Sequence, residues 1–228
     1  MSEFREPSPV NSVPPLILAI ALLIMGVEVV FQMGNRGLLG GPDAIGWRLE
    51  AIRDYAFSNR GLAWMLETGE VRFDFAKRLV TYPFLHSTLM QALFAAVMTL
   101  ALGKFVGERM AHWAVFVLFF ASAAGAAVIY GLVLPEGPGL IGAFPGVYGL
   151  IGGFTYLIWL QLGQLGENQT RAFSLIGFLM GIQLIFGVMY GSDSRWLADV
   201  MGFAIGFLLS FLLVPGGFRN IHDKLRQR

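Results

Sequence analysis

Six apolar stretches, each close to the length of a membrane span, are distributed along the chain. A helix needs about 20 mostly apolar residues to cross the hydrocarbon core of a bilayer. Because these stretches run through the whole sequence, we predict an all-α membrane protein with one integrated bundle of six transmembrane helices. The stretches are Pro14–Met33, Tyr82–Val106, Ala111–Leu134, Gly146–Gln164, Arg171–Tyr190 and Trp196–Val214.

The composition agrees with lipid as the solvent and excludes several classes of function. Charged residues make up 14% of the chain, against about 25% in soluble domains. The net charge of +1 gives no basic field for nucleic acid, so we expect no nucleic-acid partner. The absence of cysteine excludes disulfides and thiolate chemistry. The three histidines, His86, His112 and His222, are far apart, so we expect no metal and no cofactor.

Lysine and arginine in the short loops predict the orientation of the chain, because cytoplasmic loops are enriched in both. We expect both termini in the cytoplasm, with residues 1–13 as an N-terminal tail, 14–214 as the membrane domain and 215–228 as a basic C-terminal tail. The first stretch lacks a basic leader, so we interpret it as a retained span and not as a signal peptide. The basic residues on the predicted cytoplasmic side are Arg5, Lys104, Arg109, Arg171, Arg219, Lys224, Arg226 and Arg228.

The first loop, residues 34–79, is long for a connection between helices, and it is patterned. Apolar residues recur at helical spacing, and charged residues occupy the opposite positions. This pattern is typical of short amphipathic helices that lie on a membrane surface. The apolar positions are Ile45, Leu49, Ile52 and Ala56, and the polar ones are Arg48, Glu50, Arg53 and Asp54.

Polar side chains inside spans are costly in lipid and are therefore candidates for a functional site. The candidates are Glu28, His86, Gln91, Tyr148 and Asp199. Each also has a structural interpretation. Glu28 could extend to the outer interface or form a proton or ion site, and His86 could be a hydrogen-bonded packing residue.

Two spans carry small residues at spacings that allow helices to approach closely. The fourth stretch holds Gly146, Gly149 and Gly152, and the sixth holds Gly202 and Gly206 in a G-x-x-x-G pattern. Asp199 precedes Gly202 by three residues. We therefore expect its side chain to face whichever helix packs against that glycine face.

Three segments follow one another along the predicted spans: KRLVTYPFLH at Lys77–His86, GVYG at Gly146–Gly149 and ADVMGFAIG at Ala198–Gly206. In this order they resemble the rhomboid family of intramembrane serine proteases. The resemblance implies a rhomboid-like six-helix bundle with a partly embedded first loop. It identifies Arg78 with the arginine of the family's Trp-Arg loop element, although Lys77 stands where the tryptophan is expected.

The same resemblance implies that the catalytic residues are replaced. Tyr148 stands at the position of the serine nucleophile and Asp199 at that of the histidine base. In the oxyanion region Gln91 and Ala95 stand at the positions of a histidine and an asparagine, and His86 is retained. Because a serine protease needs its nucleophile beside a base, we predict a pseudoprotease. We expect a hydrogen bond between the Tyr148 hydroxyl and the Asp199 carboxylate.

The resemblance to inactive relatives, the iRhoms and Derlins, implies that such a protein binds transmembrane helices of client proteins. The docking face would lie between spans two and five, where span five carries Ser174, Gly177, Gly181, Gln183 and Gly187. Two alternatives stay open. One is an intramembrane serine-type endopeptidase with a non-standard site. The other is a small transporter or channel in which Glu28, Asp199 and Gln161 line one wet path. We expect the membrane to be a bacterial inner membrane.

Overall fold

The computed structural model describes residues 13–190 and 194–214, and within these ranges the chain is almost entirely helical. Ten α-helices follow one another there, with short 3₁₀ turns between some of them. They are α1 Pro15–Asn35, α2 Trp47–Tyr55, α3 Asn59–Thr68, α4 Phe73–Ala76, α5 Arg78–Thr81, α6 Leu89–Gly107, α7 His112–Val133, α8 Phe144–Gln164, α9 Ser174–Tyr190 and α10 Trp196–Leu213.

Four of the described helices, α1, α6, α7 and α10, are long and apolar enough to cross a membrane. Helix α8 has 21 residues, and α9 has 17. The all-α membrane fold is therefore confirmed, whereas the count of six spans stays a prediction. Residues 1–12 of the N-terminal tail and all of the C-terminal tail, residues 215–228, lie outside the described residues.

The second membrane helix begins later than the sequence predicts. A 3₁₀ turn at Tyr82–Phe84 is followed by non-helical chain, and α6 starts at Leu89. The Thr88 hydroxyl oxygen accepts a hydrogen bond from the Gln91 amide nitrogen (3.2 Å), which is the usual way to satisfy a free N–H group in the first turn of a helix. His86 therefore precedes the helix, and helical spacing does not govern its position relative to Gln91.

Helices α8 and α10 touch through their backbones at the glycines. A β carbon added at Gly202 would collide with the carbonyl oxygen of Pro145, and one added at Gly206 would collide with that of Gly149. A β carbon at Gly152 would likewise collide with the backbone of α10. Such a close approach needs a glycine on at least one side of each contact, and it holds the start of α8 directly against α10.

The first loop folds into α2, α3, α4 and α5, and one residue of its predicted polar face, Arg48, points inward. Ile45 and Leu49 are exposed (66% and 73%), whereas the Arg48 side chain, predicted on the polar face, is only 14% exposed. The physical reason is an acidic partner inside the bundle, described below. At the other end of the loop, Arg78 donates from Nη1 to the carbonyl oxygen of Ala56 (3.0 Å) and so joins α5 to the end of α2.

Candidate functional site

Glu28 forms a buried ion pair with Arg48. Its side chain is 1% exposed, and its two carboxylate oxygens accept from Nη2 (2.8 Å) and Nη1 (2.9 Å) of the guanidinium group. Gln32 adds a third donor at 2.8 Å. The interpretation of Glu28 as a side chain that extends to the interface is wrong, because Arg48 meets it inside the protein. These contacts hold α2 against α1.

His86 lies between this ion pair and the start of α8. Its backbone carbonyl oxygen accepts a hydrogen bond from Arg48. Its ring atom Nε2 accepts one from the backbone N–H of Ala143 (3.3 Å), the residue that precedes α8. A ring nitrogen that accepts a hydrogen bond carries no proton, so this contact agrees with a neutral His86 ring.

The two other positions of the predicted oxyanion region, Gln91 and Ala95, have different surroundings. The Gln91 side-chain oxygen accepts a hydrogen bond from the backbone N–H of Ser87 (3.0 Å). Ala95 is fully buried in α6 and has no polar side-chain atom to donate. Gln91 is thus engaged with the chain just before α6.

A cavity of about 270 Å³ lies between α6, α8, α9 and α10. Tyr148 and Asp199 both line it, so the structure brings these two candidate residues to one site; they are 5% and 9% exposed. Most of the wall is apolar, and the described residues that line it include no serine, histidine or lysine. The lining residues are Phe94, Met98, Phe144, Val147, Tyr148, Ile151, Leu179, Ile182, Gln183 and Asp199.

Gln183 of α9 donates from Nε2 to Oδ2 of Asp199 (2.9 Å). The sequence identifies Gln183 as a polar residue of span five, but nothing in its spacing places it against Asp199, because the two residues lie on different helices. This hydrogen bond joins α9 to α10 at the cavity wall. The expected hydrogen bond between Tyr148 and Asp199 stays a prediction.

The mouth of the cavity lies between α6 and α9. Phe94 of α6 and Ile182 of α9 line the cavity and are also exposed on the outer surface (51% and 36%). A β carbon added at Gly177 or Gly181 of α9 would meet no atom within 4 Å. The cavity is therefore reached from the side of the bundle, through the surface that faces lipid.

The positions of three residues decide whether they could together line the water-filled path predicted for a transporter. Of the three residues proposed to line it, Asp199 is on the cavity wall, whereas Glu28 is held by Arg48 and Gln161 is exposed on α8. These three side chains therefore do not share this cavity. The chemistry that the cavity offers is one phenol hydroxyl, one carboxylate and one amide among apolar side chains.

These features define a class: helical membrane proteins with a polar site buried between packed helices and open towards lipid. A model of the rhomboid domain matches residues 75–216, more than half of the chain, and the chain belongs to the rhomboid family. It is 26% identical over 144 residues to "RHOMBOID-like protein 4" of Arabidopsis thaliana. That match covers 63% of this chain and 36% of the relative, so the chain spans little more than a third of the relative's length.

Proposed function

We propose that this rhomboid-family membrane protein is catalytically inactive and binds transmembrane segments of client proteins, in membrane-protein quality control or regulation. One observation carries the proposal. The cavity wall holds Tyr148 and Asp199, which stand at the positions where the family resemblance implies a serine nucleophile and a histidine base.

The side chains of the cavity do not form a known acyl-transfer site. Such a site needs an activated nucleophile within hydrogen-bond reach of a base. Loss of a single member of a catalytic triad costs several orders of magnitude in rate, and here two positions differ. His86, the retained histidine, accepts a hydrogen bond from Ala143 and is not among the cavity residues.

The shape of the cavity supports the binding of a helix. Its walls are apolar, and its mouth between Phe94 and Ile182 opens on the lipid-facing side of the bundle. The open positions at Gly177 and Gly181 would let another helix approach the α9 backbone closely. A client could enter sideways from the bilayer without first crossing an aqueous phase.

The catalytic part of the proposal is tested with the purified protein, a generic transmembrane rhomboid substrate and a fluorophosphonate probe. We expect no labelling and no cleavage by the unmodified protein. The double variant Tyr148→Ser/Asp199→His, assayed in parallel, reports whether the rest of the site still supports chemistry. Cleavage by the unmodified protein that a single substitution at Tyr148 or Asp199 abolishes would establish the alternative, an endopeptidase with a non-standard site.

The binding part is tested by photo-crosslinking in vesicles. A photoreactive residue replaces Ile182 at the cavity mouth, and the matched control carries it at Leu22 of α1, which is 62% exposed. The probe is a synthetic single-span helix of leucine and alanine. We expect more crosslinking at Ile182 than at Leu22, and equal crosslinking at both positions would contradict a docking site at the mouth.

A further inference from the structure

The surface of the cavity is apolar and rich in aromatic rings. Phe94, Phe144 and Tyr148 all line it, and the ring centroids of Phe94 and Phe144 lie 6.3 Å apart, with an angle of 34° between the ring planes. Polar atoms contribute little to this surface, and the side chains of Gln183 and Asp199 are hydrogen-bonded to each other. The cavity is therefore complementary to an apolar group and not to a charged one.

The size of the cavity matches one aromatic side chain. An apolar cavity of about 150 Å³ is already large enough to bind benzene, and this cavity has a volume of about 270 Å³. A whole helix, with a diameter of about 10 Å, cannot enter it. A client helix would therefore stay outside, at the mouth between Phe94 and Ile182, and would place a single side chain inside.

We propose that the cavity binds a client helix through the ring of one phenylalanine, which enters at the mouth. The inference rests on the proposed function, because the occupant is the same client helix and only its chemistry is specified further. Aromatic rings at edge-to-face or offset-stacked positions attract one another beyond the burial of area, and Phe94, Phe144 and Tyr148 offer such partners. The sulfur of Met98, also in the wall, makes favourable contacts with rings.

The lipid is the competitor for this cavity. Acyl chains are as apolar as an aliphatic side chain, so burial alone does not favour a client over lipid. A phenylalanine side chain has only two side-chain torsions to fix, and it loses less conformational freedom on binding than a flexible chain does. It also gains the ring contacts that an acyl chain cannot make. An aromatic anchor therefore gives the client an advantage over the surrounding bilayer.

The test uses three versions of the leucine–alanine helix in vesicles, with phenylalanine, cyclohexylalanine or alanine at one central position. Cyclohexylalanine is apolar and close to phenylalanine in size, but its ring is not aromatic. The photoreactive residue replaces Phe178, which is 66% exposed on α9 and does not line the cavity, so the wall stays intact. We expect the phenylalanine helix to be captured about two- to twelvefold more than the cyclohexylalanine helix, the range of aromatic pairs beyond area. The alanine helix should be captured least.

Two variants test whether the ring binds inside the cavity. Phe94→Leu removes one ring from the wall but keeps it apolar, and it should reduce the preference for phenylalanine over cyclohexylalanine. Its control is Phe116→Leu on α7, which is 41% exposed and does not line the cavity. Leu179→Trp fills the cavity from α9 and should lower capture of the phenylalanine helix to that of the alanine helix. Leu23→Trp, at an exposed position of α1, should leave capture unchanged.

The possible outcomes separate this inference from the proposed function. Equal capture of the phenylalanine and cyclohexylalanine helices would overturn the inference while supporting a general helix-binding site. Capture of none of the helices above that from a photoreactive residue at Leu22 would overturn both. If Leu179→Trp fails to fold, the three helices on the unmodified protein still decide the question.

Discussion

At the scale of single residues, the first span tolerates a carboxylate because the first loop supplies its partner. Glu28 is 1% exposed, and Arg48 reaches it from α2 with two hydrogen bonds. The same guanidinium group donates to the carbonyl oxygen of His86. One side chain thus links α1, the first loop and the segment that leads into α6, and it does so where water is scarce.

Glu28→Gln should lower the free energy of unfolding by roughly 3–5 kcal/mol, because it leaves the Arg48 charge buried without its carboxylate. Thermal or denaturant unfolding in detergent measures the loss. The double variant Glu28→Leu/Arg48→Met removes both charges and should recover much of it. The control is Arg60→Ala, which breaks the exposed Arg60–Glu136 pair (3.2 Å) and should change stability little. Equal effects of the two single changes would contradict a structural role of the buried pair.

At the scale of helices, the position of the cavity is decided by two different contacts of α10. Its glycine face touches the α8 backbone at Pro145 and Gly149, which leaves no room for side chains there. Its contact with α9 at the cavity wall instead includes the hydrogen bond from Gln183 to Asp199. The contact with α8 is close packing of two backbones, whereas the contact with α9 includes one hydrogen bond between side chains.

Gly202→Ala should destabilise the protein, because the added methyl group collides with the carbonyl oxygen of Pro145. Overpacking of this kind costs about 1–3 kcal/mol, and thermal unfolding in detergent detects it. The matched control is Gly181→Ala on α9, where a β carbon meets no atom within 4 Å. This control should retain or slightly raise stability, since alanine is the better helix former. A loss at Gly181 as large as that at Gly202 would argue against the close α8–α10 contact.

Gln183→Leu should loosen α9 at the cavity wall, because it removes the hydrogen bond to Asp199 while keeping a side chain of similar size. The chain contains no cysteine, so a single Val147→Cys reporter in the buried wall can be labelled without background. We expect its maleimide labelling to become several-fold faster in the Gln183→Leu background. Gln161→Leu, a change at an exposed glutamine of α8, should leave the rate unchanged. Unchanged labelling in both backgrounds would show that the bond does not hold α9.

At the scale of the whole molecule, the chain is an integral membrane protein with a folded first loop on one side of the bundle. Residues 75–216 match the rhomboid domain, and four described helices meet the length and polarity of a span. Six spans, cytoplasmic termini and a bacterial inner membrane stay predictions. An even number of spans places both termini on the same side of the bilayer.

Reporter fusions test this topology directly. A fusion after Arg228 should report the cytoplasm, because the predicted C-terminal tail is basic. A reporter inserted after Glu136, in the loop between α7 and α8, should report the opposite side, since residues 135–145 contain no lysine or arginine. The insertion lies at an exposed side chain, so the fold should accept it. Both reporters on one side would contradict the count or the order of the spans.

The sequence by itself determined the all-helical membrane class, the family and the approximate position of every long helix. Long apolar runs admit few structures in lipid, because each backbone polar group must be bonded within its own segment. The sequence determined the ends of the helices less precisely. The non-helical segment around His86 falls within the predicted second span, and the capping at Thr88 shows that α6 begins after it.

The tertiary structure alone decided which polar groups meet. The pairs Glu28–Arg48 and Gln183–Asp199 join residues 20 and 16 positions apart on different helices, and no local period in the sequence encodes such a contact. Arg48 lies on the polar side of its own helix pattern, yet it turns inward, because the buried Glu28 carboxylate would be strongly destabilising without a charged partner. The sequence sets which side chains share one face of a helix. The packing of the helices sets which side chains meet between two helices.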